Sequence, residues 1–102
     1  MTFQPLQKDV DDWIRNYTPG YFDPLMMMAR LTEELGELSR AVTYRIGMKK
    51  PKPGEDEGDV SDELGDLLFV ALCLANSMNI DLDDSWASLK KKLYERDATR
   101  WK

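Results

Sequence analysis

Apolar residues recur every three or four positions in four stretches of the chain, and no stretch shows the strict alternation of a half-buried β-strand. The pattern therefore predicts an all-α protein with four helices. They cover residues 6–17, Pro24–Arg45, Val60–Met78 and a last segment that begins after Asp81. Asp23, Asp59 and Asp81 precede the last three helices, where an aspartate can cap the free N–H groups of a first turn.

The third predicted helix carries the longest apolar run, because all nine residues from Leu67 to Ala75 are apolar. A run that is apolar on every side is typical of a helix buried all round. Four helices in one chain offer too few neighbours to bury it. We therefore expect a second copy of the chain to complete the helical bundle, in a dimer or a tetramer.

Composition narrows the class of protein. The chain has 102 residues, of which 42% are apolar and 32% charged, and its net charge is −5. This predicts one globular domain over residues 1–102. The acidic balance argues against binding a nucleic-acid polymer, but it does not exclude a nucleotide, because a bound metal inverts the local charge. With no membrane-length apolar run and no leader-like start, the expected location is cytoplasmic.

Two residue types are nearly or wholly missing. The chain contains no histidine, which excludes Ser-His-Asp triads and the Glu-x-x-His motif of di-iron helical bundles. The single cysteine, Cys73, cannot form an intrachain disulfide or a zinc site with other cysteines. Its place within the apolar run predicts an ordinary core residue.

One short pattern, acid-acid-Leu-Gly-acid, occurs twice in the chain. The first copy is Glu33-Glu34-Leu35-Gly36-Glu37 and the second is Asp62-Glu63-Leu64-Gly65-Asp66. On a helix, residues three apart lie side by side, so each copy presents one pair of carboxylates. These pairs fall in or beside the apolar stripe of each helix, where unpaired charge is costly. If the two helices run antiparallel, the pairs face each other, and Mg²⁺ is the simplest compensation.

A simpler interpretation of the acids is a solvated helix face, which explains most Glu-rich stretches. The repetition and the helix-breaking glycine at the same place in both copies make that interpretation weaker. Glycine inside a helix costs roughly 1 kcal/mol relative to alanine. Gly36 and Gly65 thus indicate either close approach of a neighbouring helix or room beside the carboxylates.

The pattern E-E-x-x-E followed by E-x-x-D resembles the motif of MazG-like nucleoside triphosphate pyrophosphohydrolases. The resemblance extends to the flanking residues and covers nearly the whole chain, as in a short single-domain branch of that family. The flanks are Tyr21-Phe22-Asp23-Pro24-Leu25, Leu67-Leu68-Phe69, Leu74-Ala75-Asn76, Arg96-Asp97 and Arg100-Trp101.

The resemblance implies a reaction and a set of roles. Water would attack the α-phosphorus of a nucleoside triphosphate, with Mg²⁺ or Mn²⁺ as cofactor, and release a monophosphate and pyrophosphate. The metal ligands would be Glu34, Glu37, Glu63 and Asp66. Glu33, the fifth acid of the catalytic set, would bind a second metal or activate the attacking water. The biological role would be house-cleaning of the nucleotide pool, including non-standard nucleotides or deoxynucleotides.

Five further residues are candidates for substrate binding: Trp13, Lys49, Asn76, Lys92 and Arg96. Trp13 has a core position as its alternative. Lys49 lies in the loop between Gly47 and Gly58, which is either a solvated linker or a basic flap over the phosphates. Lys92 and Arg96 either contribute to the solubility of the surface or bind the triphosphate.

Two other functions remain open at this point. The chain could be a non-catalytic helical oligomer that binds metal or acts as an interaction module, or a nucleotide-binding regulator without turnover. The preferred base and sugar cannot be inferred from the motif.

Overall fold

The computed structural model describes residues 2–17 and 20–96, and within them the secondary structure is entirely helical. The helices are α1 (Phe3–Ile14), α2 (Pro24–Arg45), α3 (Val60–Ser77) and α4 (Leu82–Lys91), and α4 continues into a π-helical turn at Lys92–Arg96. The all-α, four-helix prediction is confirmed. Asp97, Arg100 and Trp101, which contribute to the family resemblance, lie outside the described residues.

Aspartate caps fix the start of three helices where the sequence predicts them. The Asp23 carboxylate accepts a hydrogen bond from the backbone N–H of Met26, and Asp59 accepts from the second and third residues of α3. Asp81 accepts from the backbone N–H of Asp83 in the same way. Because each cap satisfies N–H groups that have no partner inside the helix, it defines the first turn.

The first helix begins three residues earlier than predicted, because its cap comes from the far end of the chain. The buried Asp83 carboxylate accepts hydrogen bonds of 3.0 Å and 3.1 Å from the backbone N–H groups of Phe3 and Gln4. Asp83 thus caps α1 and holds α4 beside it. At its other end α1 ends at Ile14 instead of Tyr17, and a turn follows.

The helices α2 and α3 run antiparallel. Early in α2, the Met27 sulfur accepts a hydrogen bond from the Ser77 hydroxyl at the end of α3. Late in α2, the Cβ of Ala41 lies 3.5 Å from the point that a Cβ on Gly58 would occupy, just before α3. The core joins these helices to α1 through four buried side chains: Val10, Met27, Leu72 and Cys73. The prediction that Cys73 is a core residue is confirmed.

The chain alone leaves much of its apolar surface uncovered. On α3, Leu64 and Leu68 remain 51% and 46% exposed, and on α2 the exposure of Leu35 is 56%. The third helix is therefore not buried all round within one chain. The radius of gyration is 16.9 Å, against about 13 Å for a compact domain of this length.

No helix among the described residues is by itself long and apolar enough to cross a bilayer. Val60–Ser77 and Leu82–Arg96 reach the required length and hydropathy only when combined, and a bend of 105° separates them.

Candidate metal centre

Antiparallel packing of α2 and α3 brings the two acid pairs together. One carboxylate oxygen from each of Glu34, Glu37, Glu63 and Asp66 lies within 4.8 Å of the others. The three-residue spacing places the partners of each pair on one face of their helix. The structure thus forms a four-carboxylate cluster, which comprises these four residues, from motifs that are about two dozen residues apart in sequence.

Two carboxylate oxygens of the cluster are buried without a hydrogen-bond partner among the described residues. They are Oε2 of Glu34, a residue only 4% exposed, and Oε2 of the half-buried Glu63. A buried polar atom left unpaired costs about 1–3 kcal/mol, and more when it is charged. These oxygens therefore point to a cation that would satisfy them.

Burial and mutual repulsion alter the acidity of both residues. Burial raises the pKa of Glu34 above its usual value, and the charge of Glu37 raises it further, while Arg30 opposes the shift. Burial, followed by the charge of Glu37, also raises the pKa of Glu63. Both shifts mean that the ionised cluster is destabilised in the absence of a positive partner.

The donor set fits a hard divalent cation. All four donors are carboxylate oxygens, which Mg²⁺ and Mn²⁺ prefer. Ligands on opposite sides of an octahedral Mg²⁺ lie about 4.2 Å apart, since each bond is about 2.1 Å. The 4.8 Å within which all four oxygens lie exceeds that spacing only slightly.

Glu33 lies beside the four-carboxylate cluster and does not belong to it. Its side chain is 60% exposed, and its Oε2 accepts a hydrogen bond of 3.2 Å from Nη1 of Arg30. The same guanidinium donates a hydrogen bond of 2.8 Å from Nη2 to Oε1 of Glu34. Arg30 is not among the site residues predicted from the sequence, although its spacing of four residues from Glu34 indicates an ion pair on a helix.

A cavity of about 440 Å³ adjoins the cluster and shares Glu34 and Asp66 with it, and Arg30 also lines this cavity. Its volume is within the range of about 300–1,000 Å³ that small-molecule sites occupy. Aromatic side chains dominate the other walls: Trp13, Tyr17, Tyr21, Phe22 and Phe69. The Trp13 ring lies 4.7 Å from that of Tyr17 and 5.5 Å from that of Phe69, between ring centroids. Trp13 remains 51% exposed, so it lines the cavity without being core.

The predicted substrate residue Asn76 lies in a hydrogen-bond network that joins α1 to α3. Its amide nitrogen donates to the Gln7 carbonyl at 2.8 Å and to the Tyr21 hydroxyl at 3.0 Å. Its amide oxygen accepts from Nε2 of Gln7 at 2.9 Å. The Tyr21 hydroxyl in turn donates to Asp11, and this bond together with burial raises the pKa of Tyr21 to about 12. Burial is the larger of the two causes.

The three predicted basic residues lie on exposed parts of the chain. Lys49 follows the end of α2, and Lys92 and Arg96 begin and end the π-helical turn after α4. They are not among the residues that line the cavity next to the cluster.

The loop before α3 approaches the cluster through Gly58. Its backbone has φ +73°, a conformation that residues other than glycine rarely adopt. A Cβ added there would lie 3.6 Å from Oε1 of Glu63. The Tyr44 hydroxyl donates a hydrogen bond to Glu55 and ties the loop to α2. For Gly36 and Gly65, an added Cβ would meet no described atom within 4 Å, so these glycines leave room and do not mark a close helix approach within this chain.

Comparison with known proteins gives four concordant findings. Residues 22–101 match the family model of the MazG nucleotide pyrophosphohydrolase domain. The chain is 48% identical to the protein YpjD of Bacillus subtilis over 100 residues, which cover 98% of this chain and 90% of that protein. The crystal structure of a Bacillus-conserved MazG protein, a nucleotide pyrophosphohydrolase, superposes with a TM-score of 0.77 at 44% identity, over 91% of this chain and 90% of that one. The structure of YpjD superposes with a TM-score of 0.79 over 90% of this chain and 94% of that one.

Proposed function

Since the chain belongs to the MazG family of nucleotide pyrophosphohydrolases, we propose that it hydrolyses nucleoside triphosphates to nucleoside monophosphates and pyrophosphate. The proposed cofactor is Mg²⁺, with Mn²⁺ as a substitute. The proposed ligands are Glu34, Glu37, Glu63 and Asp66.

One observation carries the metal-dependent part of the proposal: the unpaired, buried Oε2 atoms of Glu34 and Glu63. Four converging carboxylates would repel a triphosphate, so a phosphate-binding site requires a cation between them. A bound divalent cation would supply polarisation of the phosphate oxygens and activation of water.

The position of the cavity supports cleavage next to the α-phosphate. Aromatic walls suit a nucleobase, which stacks on such side chains. In a nucleoside triphosphate, the α-phosphate is the one attached to the sugar. A nucleoside in the cavity would therefore present this phosphate first to the adjoining Glu34 and Asp66.

The fifth acid would act on the water. Glu33 is proposed to orient the attacking water and accept its proton as the new bond to the α-phosphorus forms and the bond to pyrophosphate breaks. Its exposed position beside the cluster leaves it accessible to solvent. Its other proposed role, as a ligand of a second cation, uses the same position. Lys49, Lys92 and Arg96 are proposed to meet the outer phosphates.

The exposed apolar faces of α2 and α3 favour self-association. A dimer or tetramer would cover Leu35, Leu64 and Leu68, which the single chain leaves at least 46% exposed. In such an assembly α3 would gain the neighbours that its composition requires. A house-cleaning role in the nucleotide pool would follow if non-standard nucleotides are the preferred substrates.

The direct test is pyrophosphate release from a panel of ribonucleoside and deoxynucleoside triphosphates, with Mg²⁺ and with a chelator. We expect Mg²⁺-dependent release, abolished by Glu34→Gln. The matched control is Asp62→Asn, because Asp62 is an exposed acid of the second motif that lies outside the four-carboxylate cluster. Metal-independent release, or none from any nucleotide, would refute the proposal.

A further inference from the structure

Arg30 bridges two acids that the proposed reaction uses differently. Through Nη2 it holds Oε1 of Glu34 at 2.8 Å, and through Nη1 it holds Oε2 of Glu33 at 3.2 Å. Its side chain is 48% exposed, whereas that of Glu34 is only 6% exposed. The guanidinium therefore lies at the border between the buried cluster and solvent, and it also lines the aromatic cavity.

The two oxygens of Glu34 differ in their surroundings. Oε1 is occupied by Arg30, whereas Oε2 is buried with no hydrogen-bond partner among the described residues. A hydrogen bond to one oxygen restricts the rotation of the carboxylate, so it also limits the directions in which the other oxygen can point. That second oxygen is the one left for a cation.

We propose that Arg30 is a positioning residue for the metal centre, which fixes Glu34 so that Oε2 faces the cation and holds Glu33 at a set distance beside it. The inference rests on the proposed function, because it assumes that the cluster binds a divalent cation.

The planar guanidinium is needed for this role. Its N–H donors form a rigid fork that can serve two carboxylates at once, whereas a lysine ammonium is a single point of charge on a flexible stem. Hydrogen bonds to ligating carboxylates are worth about 10- to 100-fold in metal affinity. A positive charge near a cation site has the opposite effect, since it repels the cation. If Arg30 acts mainly by positioning, its replacement weakens metal binding. If it acts mainly through its charge, removing that charge strengthens metal binding.

The experiment is a titration of the metal-free protein with Mn²⁺, without nucleotide, followed by calorimetry and by electron paramagnetic resonance of the free ion. We expect Arg30→Lys, which keeps the charge, to weaken Mn²⁺ binding by about 10- to 100-fold. We expect Arg30→Met, which removes the charge, to bind no more tightly than wild type. Helix content should persist in both, because arginine, lysine and methionine have similar helix propensities.

Arg15→Lys is the matched control, because Arg15 at the end of α1 also pairs with a carboxylate four residues before it, Asp11 at 2.6 Å, and lies outside the cluster. Its Mn²⁺ affinity should equal that of wild type. Wild-type affinity in Arg30→Lys, or tighter binding in Arg30→Met, would overturn the role of Arg30 and leave the proposed function intact. Failure of the wild-type protein to bind Mn²⁺ would instead refute the metal centre itself and the inference with it.

Discussion

Glu34 on α2 and Glu63 on α3 face each other across the helix pair, and each buries an Oε2 atom without a donor among the described residues. Neither motif forms this relationship alone. It arises because α2 and α3 are antiparallel and the acid pairs meet at the same level. The fold therefore holds together a group of like charges that lowers its stability, and the proposed cation would compensate them.

The first prediction concerns the stability of the metal-free protein as a function of pH. The pKa values of Glu34 and Glu63 are raised by burial and by neighbouring acids, so the folded state holds protons that the unfolded state has lost. The contribution of these groups to stability therefore falls as pH rises from the ordinary carboxyl range through the raised values. Thermal unfolding in a chelator should show a smaller loss of stability towards neutral pH in Glu63→Gln than in wild type.

Comparing the two proteins isolates the cluster. The Tyr21 hydroxyl and Arg15 lower the pKa of Asp11, which gives the opposite dependence, but Asp11 is present in both proteins. Saturating Mg²⁺ should restore wild-type stability at neutral pH, because a ligand that binds only the folded state stabilises it. Identical pH profiles for wild type and Glu63→Gln would contradict the account.

The second prediction distinguishes a role of Glu33 in catalysis from a role in stabilising the fold. Its side chain is 60% exposed, so Glu33→Gln should change the free energy of unfolding by no more than about 0.5 kcal/mol. General-base catalysis typically contributes about 10²–10⁴-fold, so kcat and kcat/KM should both fall by at least about 100-fold. Steady-state kinetics and thermal unfolding measure the two effects.

The control for Glu33 is its counterpart in the second motif. Asp62 precedes Glu63 as Glu33 precedes Glu34, and it is also exposed. Asp62→Asn should retain turnover. Wild-type turnover in Glu33→Gln would reduce the site to four acids and make Glu33 a solvated helix residue.

The third prediction assigns Trp13 to the nucleoside. Stacking of a base on an aromatic side chain is worth about 1–3 kcal/mol, so Trp13→Ala should raise KM by about 5- to 150-fold with a smaller change in kcat. Trp86→Ala is a suitable control, because Trp86 is 54% exposed, close to the 51% of Trp13, and packs near Phe3 away from the cavity. An unchanged KM in Trp13→Ala would show that the base does not bind in this cavity.

The fourth prediction concerns assembly. The exposed apolar faces of α2 and α3 should pair with those of a second copy, so light scattering at micromolar concentration should give at least a dimer. Leu68→Glu places a charge in the expected interface and should lower the mass to that of a monomer. Met48→Glu changes a loop residue that is 79% exposed and should not. A monomeric wild-type protein would show that the uncovered surface serves another purpose.

Some of this architecture is predictable from local sequence and some is not. The caps Asp23, Asp59 and Asp81 act within their own helices, so three helix starts follow from sequence alone. The start of α1 does not, because its cap is Asp83, which is 80 residues from Phe3.

The same distinction holds at the site. The acid pairs follow from a three-residue spacing, whereas the contacts of Asn76 with Gln7 and Tyr21 depend on the packing of α1 against α3. The ion pair of Arg30 with Glu34 could be predicted from their four-residue spacing, but pairs at this spacing are common on helices. Only the burial of Glu34 distinguishes this pair from an ordinary surface ion pair.

The central claim is that the four-carboxylate cluster supports attack of water on the α-phosphorus. Hydrolysis of a nucleoside triphosphate in oxygen-18 water with Mg²⁺, followed by mass spectrometry of the products, tests it most directly. We expect one labelled oxygen in the monophosphate, none in pyrophosphate, and no products from Glu34→Gln. Nucleoside diphosphate with free phosphate, label in pyrophosphate, or full turnover by Glu34→Gln would contradict the account.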